Sequence, residues 1–448
     1  MASTNRMTEG SIASCMVRFA LPLFFGNLFQ QMYNTADALI VGNMLGNTAL
    51  AAVSSTGSLV HLMIGFFEGF SAGGAGVIIA RYFGAKDDEK TGRGVHTTLA
   101  FGIAAGLLLT LIGTTLTPQL LKIMNTPENV MVLSVKYLRT YFAGGLGLVL
   151  YNICRGIMQA VGDSKHPLYY LIISSLTNVA LDFLLIGPLD MGVTGAALAT
   201  IISQFLSVFL CIRRLTHTNE VYRVEFRKIA FDKDILKGII SLGIPSSIAN
   251  SIIAVANTVV QSNVNHFGEM AMAGIGAYNK IDGFAFLPIT SFCMALSTFV
   301  SQNLGAKQYD RVRSGVRFGV VCSLLMAEMI GLTVCAFGPV FIRAFTSEPE
   351  AIACGVQKAR IMGPFAFLLS MSHSFAAVMR GAGKGVVPMT VQIACWCVIR
   401  VIILSIVVPL TENIAILSWV YPITWSLSTI SMLVYYKKAD WMHSYKKV

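Results

Sequence analysis

Four polar side chains in the first apolar segment of the sequence are spaced so that they share one face of a helix. They are separated by three, four and three residues, and they are Asn27, Gln30, Asn34 and Asp37. If this segment spans a membrane, a carboxylate near its middle costs roughly 2.5–3.5 kcal/mol on insertion scales. Intramembrane acids usually line a transport path or a proton relay, whereas the amides serve equally well to hydrogen-bond neighbouring helices. Asp37 is therefore the first candidate ion-binding residue.

A second polar group follows in the same half of the chain. Asn178 and Asp182 lie four residues apart in LTNVALDFLLIGP, and Thr200 lies in the next apolar segment. Carboxylate, amide and hydroxyl oxygens are hard ligands that suit a small cation such as Na⁺. Two neighbouring acids in an apolar setting also favour proton uptake, so H⁺ is an equally good candidate. The alternative for Asp182 is a structural role as an anchor near the outer surface.

These side chains require long apolar elements to position them. The chain has 448 residues, of which 55% are hydrophobic and only 12% are charged, whereas soluble domains carry about 25% charged residues. A helix of about 20 apolar residues spans the hydrocarbon core of a bilayer. We therefore predict an all-α polytopic membrane protein with twelve transmembrane helices. The predicted spans are 14–41, 48–80, 94–117, 131–160, 167–188, 193–214, 236–263, 271–301, 315–341, 351–380, 386–409 and 413–436.

Basic residues are distributed unevenly between the two sides of this predicted bundle. Twenty-five lie in the segments on the side of the amino terminus, and six lie in or near the loops on the other side. This asymmetry is the positive-inside pattern, and it predicts cytoplasmic amino and carboxyl termini in a bacterial cytoplasmic membrane. The net charge of +11 thus reports orientation, and we expect no nucleic-acid partner. The expected partners are membrane lipid and a small organic substrate, and the expected state is a monomer.

The sequence repeats itself. The segment FGAKDDEKTGRGV matches LGAKQYDRVRSGV, and IMQAVGDSKHPLYY matches VMRGAGKGVVPMTV, both at an offset of 221 residues. A third match relates 21–42 to 244–265 at an offset of 223. Six spans in each half give both halves the same orientation, so a pseudo-symmetry axis should run along the membrane normal. Repeated membrane halves commonly bind a substrate at their interface and rock around it.

The repeat also predicts the domain organisation. We expect an amino-terminal six-helix lobe at 1–214 that carries the cation site, a cytoplasmic linker at 215–235 and a carboxy-terminal six-helix lobe at 236–448. Asp37 aligns with Val260, so the acid belongs to the first half alone.

Other functional classes lack their motifs in this sequence. There is no GxxxxGK[ST] loop for ATP coupling. GFSAG, at 69–73, has the letters of a nucleophile elbow, but it falls inside an apolar span instead of a strand-to-helix turn. The nine cysteines show neither metal-ligand spacing nor a disulfide pattern. We therefore expect no enzyme, no catalytic residues, no cofactor other than H⁺ or Na⁺ as a coupling ion, and no metal beyond that Na⁺.

The features above resemble the multidrug and toxic compound extrusion (MATE) family of cation-coupled efflux transporters. The resemblance covers essentially the whole chain, with basic GAK loops after spans two and eight and G-x-x-x-x-P turns after spans four and ten. It implies two lobes that open alternately to each side and exchange organic cations for Na⁺ or H⁺. The resemblance implies acidic residues in spans seven and ten for members of the NorM-like branch. Spans seven and ten of this chain contain no acidic residue, so the resemblance is nearer to the DinF-like branch.

The DinF-like branch implies a cation site in the amino-terminal lobe. Its site residues match Asp37, Asn178, Asp182 and Thr200, and its helix-bending proline matches Pro22. Asn34, one helical turn from Asp37, is an expected adjunct of this site. The implied function is a secondary active antiporter that exports amphipathic, cationic compounds by alternating access.

The second half also carries charged residues inside its apolar spans. Lys280 and Asp282 lie in span eight and are candidates for lining a substrate cavity, although residues two apart on a helix do not face each other. Arg400 lies in span eleven, where a carboxylate from another helix would be a suitable partner. The rival interpretation is a lipid-linked glycan flippase of the same superfamily, which should carry several basic residues for pyrophosphate.

Overall fold

The computed structural model describes residues 6–124, 126–411 and 413–443, and these residues form helices without any strand. Short π-helical segments interrupt the helices at Ser71–Ala75 and Ile393–Ile399, and 3₁₀ turns lie at Phe226–Lys228 and Gly363–Phe365. The predicted all-α class is thereby confirmed. The α-helices in chain order are α1 Ile12–Leu45, α2 Asn47–Phe70, α3 Gly76–Gly84, α4 Asp88–Ile123, α5 Glu128–Ala143, α6 Gly145–Ala160, α7 Lys165–Ile186, α8 Gly192–His217, α9 Lys233–His266, α10 Glu269–Ala285, α11 Leu287–Gly305, α12 Tyr309–Arg343, α13 Pro349–Met362, α14 Ala366–Gly381, α15 Val386–Gln392, α16 Arg400–Thr411 and α17 Ile416–Lys438.

Among the described residues, eleven helical segments are long and apolar enough to cross a membrane. The predicted fourth span is the one that falls short, because it is divided at Gly144 into α5 and α6, each of 16 residues. Ile201 of α8 lies against Gly144, in the space that a side chain at this position would need. The break therefore reflects close helix contact, and α5 with α6 completes the predicted set of twelve spans.

The backbone repeats along with the sequence. Three pairs of residues with positive φ are separated by 221 or 222 positions: Gly46 and Gly268 (83° and 86°), Lys86 and Lys307 (57° each), and Gly162 and Gly383 (89° and 78°). The last two pairs end their helices in the same way. In each, the residue after the left-handed one donates its N–H five positions back, as Asp87 does to Tyr82 and Gln308 does to Asn303. The GAK loops are thus helix stops with one geometry in both halves.

The contacts divide the chain into two compact units. Unit 1 contains Phe25–Gly243, and unit 2 contains Met7–Phe24 together with the described residues from Ile244 onward. Helix α1 therefore contributes its first part, with Pro22, to unit 2 and its second part, with Asp37, to unit 1. The predicted lobes at 1–214 and 236–448 follow the repeat instead of these contacts, and their boundaries remain a prediction.

The predicted linker 215–235 is anchored on unit 1. The side chain of Tyr222 is buried and lies edge-on to the ring of Phe83. The backbone N–H of Glu225 donates to His96 Nε2 over 3.0 Å, and the N–H of Asp232 donates to Thr97 Oγ1 over 3.1 Å. The segment is therefore a part of unit 1 that covers the beginning of α4.

Close backbone approach in unit 2 leads to a stability prediction. A Cβ at Gly363 would lie 2.6 Å from the carbonyl oxygen of Gly331 and 2.9 Å from Cys335 Cβ, whereas a Cβ at Gly276 would meet nothing within 4 Å. Overpacking of this kind typically costs about 1–3 kcal/mol. We expect Gly363→Ala to lower the thermal unfolding temperature of the purified protein, with Gly276→Ala as the control that stays near wild type. Equal unfolding temperatures of Gly363→Ala and Gly276→Ala would contradict this account of how α12 meets the turn before α14.

Candidate functional site

The candidate site in unit 1 is built from four helices, each of which contributes two side chains spaced by four residues. This spacing stacks the two side chains of a pair on one face of its helix. The pairs are Tyr33 and Asp37 on α1, Tyr137 and Tyr141 on α5, Asn178 and Asp182 on α7, and Thr200 and Gln204 on α8. The structure thus brings together Asp37, Asn178, Asp182 and Thr200, and it adds three tyrosines and a glutamine.

The two acids form the centre of this site. The carboxyl groups of Asp37 and Asp182 face each other closely enough to interact electrostatically. Asp182 is fully buried, and Asp37 is half-buried. Neither acid takes part in an ion pair between described residues, and Asp37 Oδ1 and both oxygens of Asp182 are buried without a hydrogen-bond partner. Two carboxylates cannot hydrogen-bond each other unless one carries a proton. The pair therefore needs a proton or a small cation between its oxygens.

Uncharged amide and hydroxyl groups lie beside the two acids. Asn178 Nδ2 donates to Thr200 Oγ1 over 3.4 Å, and Thr200 Oγ1 donates to the carbonyl oxygen of Ala196 over 3.1 Å. The amide orientation leaves Asn178 Oδ1 buried without a hydrogen-bond partner. Tyr33 lies beside this pair and interacts electrostatically with Asp37 and Asp182. Asn178 thus offers a further oxygen to whatever the two acids hold.

The tyrosines of α5 are site residues that the sequence analysis did not select. Tyr137 and Tyr141 are both buried, with ring centroids 6.2 Å apart, and both interact electrostatically with Asp37. Gln204 of α8 adjoins Tyr141. The signal that could have found them is the pair of tyrosines four apart in YLRTY, because this spacing puts two hydroxyls on one helix face.

Asn34 does not join this group. Its side chain is exposed, and its recorded contact is a hydrogen bond of 3.4 Å from Gln30 Nε2 on the same helix. The predicted adjunct role of Asn34 therefore remains a prediction without a supporting contact among the described residues. Pro22 lies inside α1 as predicted, fifteen residues before Asp37 and in the part of the helix that belongs to unit 2.

The donor set fits a monovalent ion better than a tightly bound transition metal. Among the described residues, no cluster of three or more His, Cys, Asp or Glu side chains is present. The buried oxygens without partners come instead from two carboxylates and an amide, which is the oxygen-rich set that hard cations accept. A Na⁺ would be held by Asp37, Asp182 and Asn178, and a proton by the two acids.

The candidate substrate residues of unit 2 separate in the structure. Lys280 is exposed on α10, whereas the carboxyl of Asp282 lies 3.5 Å from the hydroxyl of Tyr278 and interacts electrostatically with Lys358 of α13. Arg400 contacts no carboxylate among the described residues; its guanidinium donates to Thr424 Oγ1 over 3.0 Å and lies 4.3 Å from the ring centroid of Tyr421. The expected acidic partner of Arg400 is therefore replaced by a hydroxyl and an aromatic face.

The amino-acid sequence matches the family described as MatE at residues 22–184 and 245–406, once in each half. It is 29% identical over 442 residues to the probable multidrug resistance protein YoeA of Bacillus subtilis (strain 168), covering 97% of this chain and 95% of that relative. It is 23% identical over 377 residues to the multidrug export protein MepA of Staphylococcus aureus (strain MSSA476), covering 84% and 83%.

The fold is similar to solved structures of transporters. A crystal structure of MATE in the bent conformation superposes with a TM-score of 0.91 at 22% identity, covering 98% of this chain and 97% of that chain. A transporter of the MOP superfamily from Pyrococcus furiosus superposes with a TM-score of 0.89 at 22% identity, covering 98% and 100%. The likeness concerns the fold alone.

The buried carboxyl oxygens without hydrogen-bond partners lead to a prediction about stability. An amide at position 182 can donate to Asp37, and relieving a buried unpaired polar group is worth about 1–3 kcal/mol. We expect Asp182→Asn to raise the unfolding temperature at alkaline pH without Na⁺, measured on the purified protein. Asp282→Asn is the matched control and should lower it, because Asp282 has Lys358 as a charge partner. A lower unfolding temperature for Asp182→Asn would show that the carboxyl oxygens of the wild type already have hydrogen-bond partners, which would contradict this account.

Proposed function

This chain belongs to the MatE family, and we propose that it is a secondary active antiporter that exports amphipathic organic compounds in exchange for H⁺ or Na⁺. The relatives YoeA and MepA are named a probable multidrug resistance protein and a multidrug export protein, which supports drug efflux as the function. The eleven apolar helical segments of membrane-spanning length in the described part of the chain support a multi-pass location. We place the protein in a bacterial cytoplasmic membrane as a monomer, with both termini in the cytoplasm.

The observation that carries this proposal is the facing pair of Asp37 and Asp182. Their buried oxygens lack partners, and burying unpaired charge in an apolar interior is costly. The state without an ion is therefore unfavourable, and a proton or a Na⁺ stabilises the helices that carry the two acids. This differential stabilisation is what an ion needs in order to shift a conformational equilibrium.

Helix α1 is the element that we expect to transmit ion binding. It runs from Ile12 to Leu45 and carries Asp37 in unit 1, while its first part, including Met16 and Phe19, is buried in the core of unit 2. Pro22 removes one backbone hydrogen bond near the change of unit, and prolines inside helices favour bending there. In this proposal, ion binding at Asp37 changes α1 and so favours release of the substrate without any direct contact between ion and drug.

The exposed polar face of α1 supports a substrate path with water access. Asn34 is exposed and Gln30 is partly exposed on this helix, whereas helix faces toward lipid are apolar because unpaired amides are costly there. These residues are therefore expected to face a water-filled cavity, in which we place an amphipathic, cationic substrate. Substrate bound in that cavity would then favour one state of the transporter, and an ion bound at the two acids would favour another.

The direct test is dye efflux from proteoliposomes, driven separately by a Na⁺ gradient or a pH gradient. We expect one of the gradients to drive efflux of a cationic dye such as ethidium by the wild type, and Asp37→Asn to reduce the rate at least about tenfold because the ion site loses its charge. Asp310→Asn, at an exposed acid on α12, is the matched control and should keep the wild-type rate.

Two results would contradict the proposal. Wild-type efflux by Asp37→Asn would remove the ion site from the mechanism. If neither gradient drove the movement of any cationic dye by the wild type, the result would favour the rival interpretation, a lipid-linked glycan flippase.

A further inference from the structure

Unit 2 contains a buried cluster of charged and aromatic side chains whose positive charge exceeds its negative charge. Lys358 and Arg400 are each only 3% exposed, and one acid, Asp282, interacts with Lys358. The cluster therefore holds two cations for one anion. Burying a charge is energetically costly unless a group of opposite charge pairs with it.

Aromatic rings and neutral polar groups position the two cations. The ring of Tyr421 contacts both, with Lys358 Nζ at 5.2 Å and Arg400 Cζ at 4.3 Å from its centroid. Lys358 Nζ also lies 5.2 Å from the ring centroid of Tyr278 and donates to Asn279 Oδ1 over 2.9 Å. Cation–π contacts and neutral acceptors of this kind hold a cation in place without neutralising it.

Arg400 keeps unused hydrogen-bonding capacity in this interior. Its guanidinium has five N–H donors, yet its recorded hydrogen bond in the described structure goes to Thr424, and its Nε is buried without a partner. Arg400 follows directly on the seven-residue π-helical segment Ile393–Ile399, and such segments frequently occur at functional sites. The guanidinium fork suits a planar anion such as a carboxylate.

The exposed face of α10 offers a route to the cluster. Asn279 and Lys280 are exposed, and Cβ atoms at Gly276 and Gly283 would meet nothing within 4 Å. A face of amide, ammonium and glycine is unsuited to lipid and suited to water. Asn279 on this face accepts a hydrogen bond directly from the buried Lys358, so the exposed face and the cluster are in direct contact.

The repeat relates this cluster to the ion site of unit 1. At the offset of 221 residues, Lys358 corresponds to Tyr137, and Tyr421 corresponds to Thr200. The first of these equivalences is bracketed by Lys86 with Lys307 and Gly162 with Gly383, which keep the same offset and the same backbone geometry. In unit 1 both of these positions carry neutral side chains, so the buried cation Lys358 belongs to the second half alone.

We propose that Lys358 and Arg400 form a binding site for the anionic group of the transported compound, with Tyr421 and Tyr278 contacting its aromatic body. This inference rests on the proposed transport function and narrows its substrate class. Zwitterionic or acidic aromatic compounds should then bind better than purely cationic analogues of the same shape. An ammonium group on such a zwitterion is compatible with the cationic character expected of the substrate.

The test compares rhodamine B with its ethyl ester, which have the same cationic fluorophore and differ in the free carboxylate. Binding to the purified full-length protein is followed by fluorescence anisotropy, without any ion gradient. We expect the wild type to bind rhodamine B at least about tenfold more tightly than the ester, because charge-assisted hydrogen bonds to a carboxylate are made with the former only.

Variants assign this preference to the cluster. Lys358→Met and Arg400→Met should each weaken binding of rhodamine B about tenfold and leave binding of the ester unchanged. Arg360→Met, at an exposed position on α13, is the matched control and should behave as wild type. Lys358→Arg keeps the charge and should keep most of the preference, which separates loss of the site from loss of the fold.

The outcomes separate this inference from the proposed function. Equal affinity of the wild type for rhodamine B and the ester, or variants that weaken both ligands alike, would overturn the anion site. A clear preference for rhodamine B that depends on Lys358 and Arg400, without ion-driven efflux of either dye, would uphold the site and overturn antiport. Ion-driven efflux of the dyes without any preference for rhodamine B in binding would uphold antiport and overturn the anion site.

Discussion

The arrangement of unit 1 depends on one electrostatic constraint, which is that a buried carboxyl group and a half-buried one face each other without a basic partner among the described residues. Asp37 and Asp182 come from helices far apart in sequence, and Asp37 Oδ1 and both oxygens of Asp182 are buried without a hydrogen-bond partner. Such a pair is stable only when a proton or a cation lies between the two groups. Thr200, Asn178 and the tyrosines around the acids are neutral, so they orient the site without removing this requirement. In our proposal, a bound proton or cation therefore stabilises the arrangement of α1, α7 and α8.

The two halves of the chain share a backbone frame and differ in the charge that they bury. Helix stops at Lys86 and Lys307, and at Gly162 and Gly383, have the same geometry, so the frame is repeated closely. Within it, unit 1 holds the facing acids Asp37 and Asp182 without an ion-paired basic side chain among the described residues, and unit 2 buries Lys358 and Arg400 next to one acid, Asp282. The net charges of these two clusters are opposite in sign, which agrees with our proposal of an ion site in unit 1 and an anion site in unit 2.

The sequence was sufficient for the class of fold, and it selected four side chains that the structure brings together in the candidate site: Asp37, Asn178, Asp182 and Thr200. Acidic residues stand out in apolar spans because they are costly there, so Asp37 and Asp182 were recognisable at once. Tyrosines carry no such signal, because they are ordinary residues of membrane helices, and Tyr137 and Tyr141 were therefore missed. Asn34 shares a helix face with Asp37 in projection, but tertiary contacts place only Asp37 against α7. The break of the fourth span at Gly144 depends on Ile201 from another helix, which no local pattern shows.

The central claim is that Asp37 and Asp182 act as one ion-binding unit. Infrared difference spectra of the purified protein between acidic and alkaline buffers, with and without Na⁺, test it most directly. We expect a carboxyl band of the wild type that changes with pH, that Na⁺ alters, and that disappears in Asp37→Asn and in Asp182→Asn alike, because the two groups titrate as a pair. If each variant lost only its own band while the remaining acid titrated as in the wild type, the two carboxyl groups would be independent and the account would be wrong.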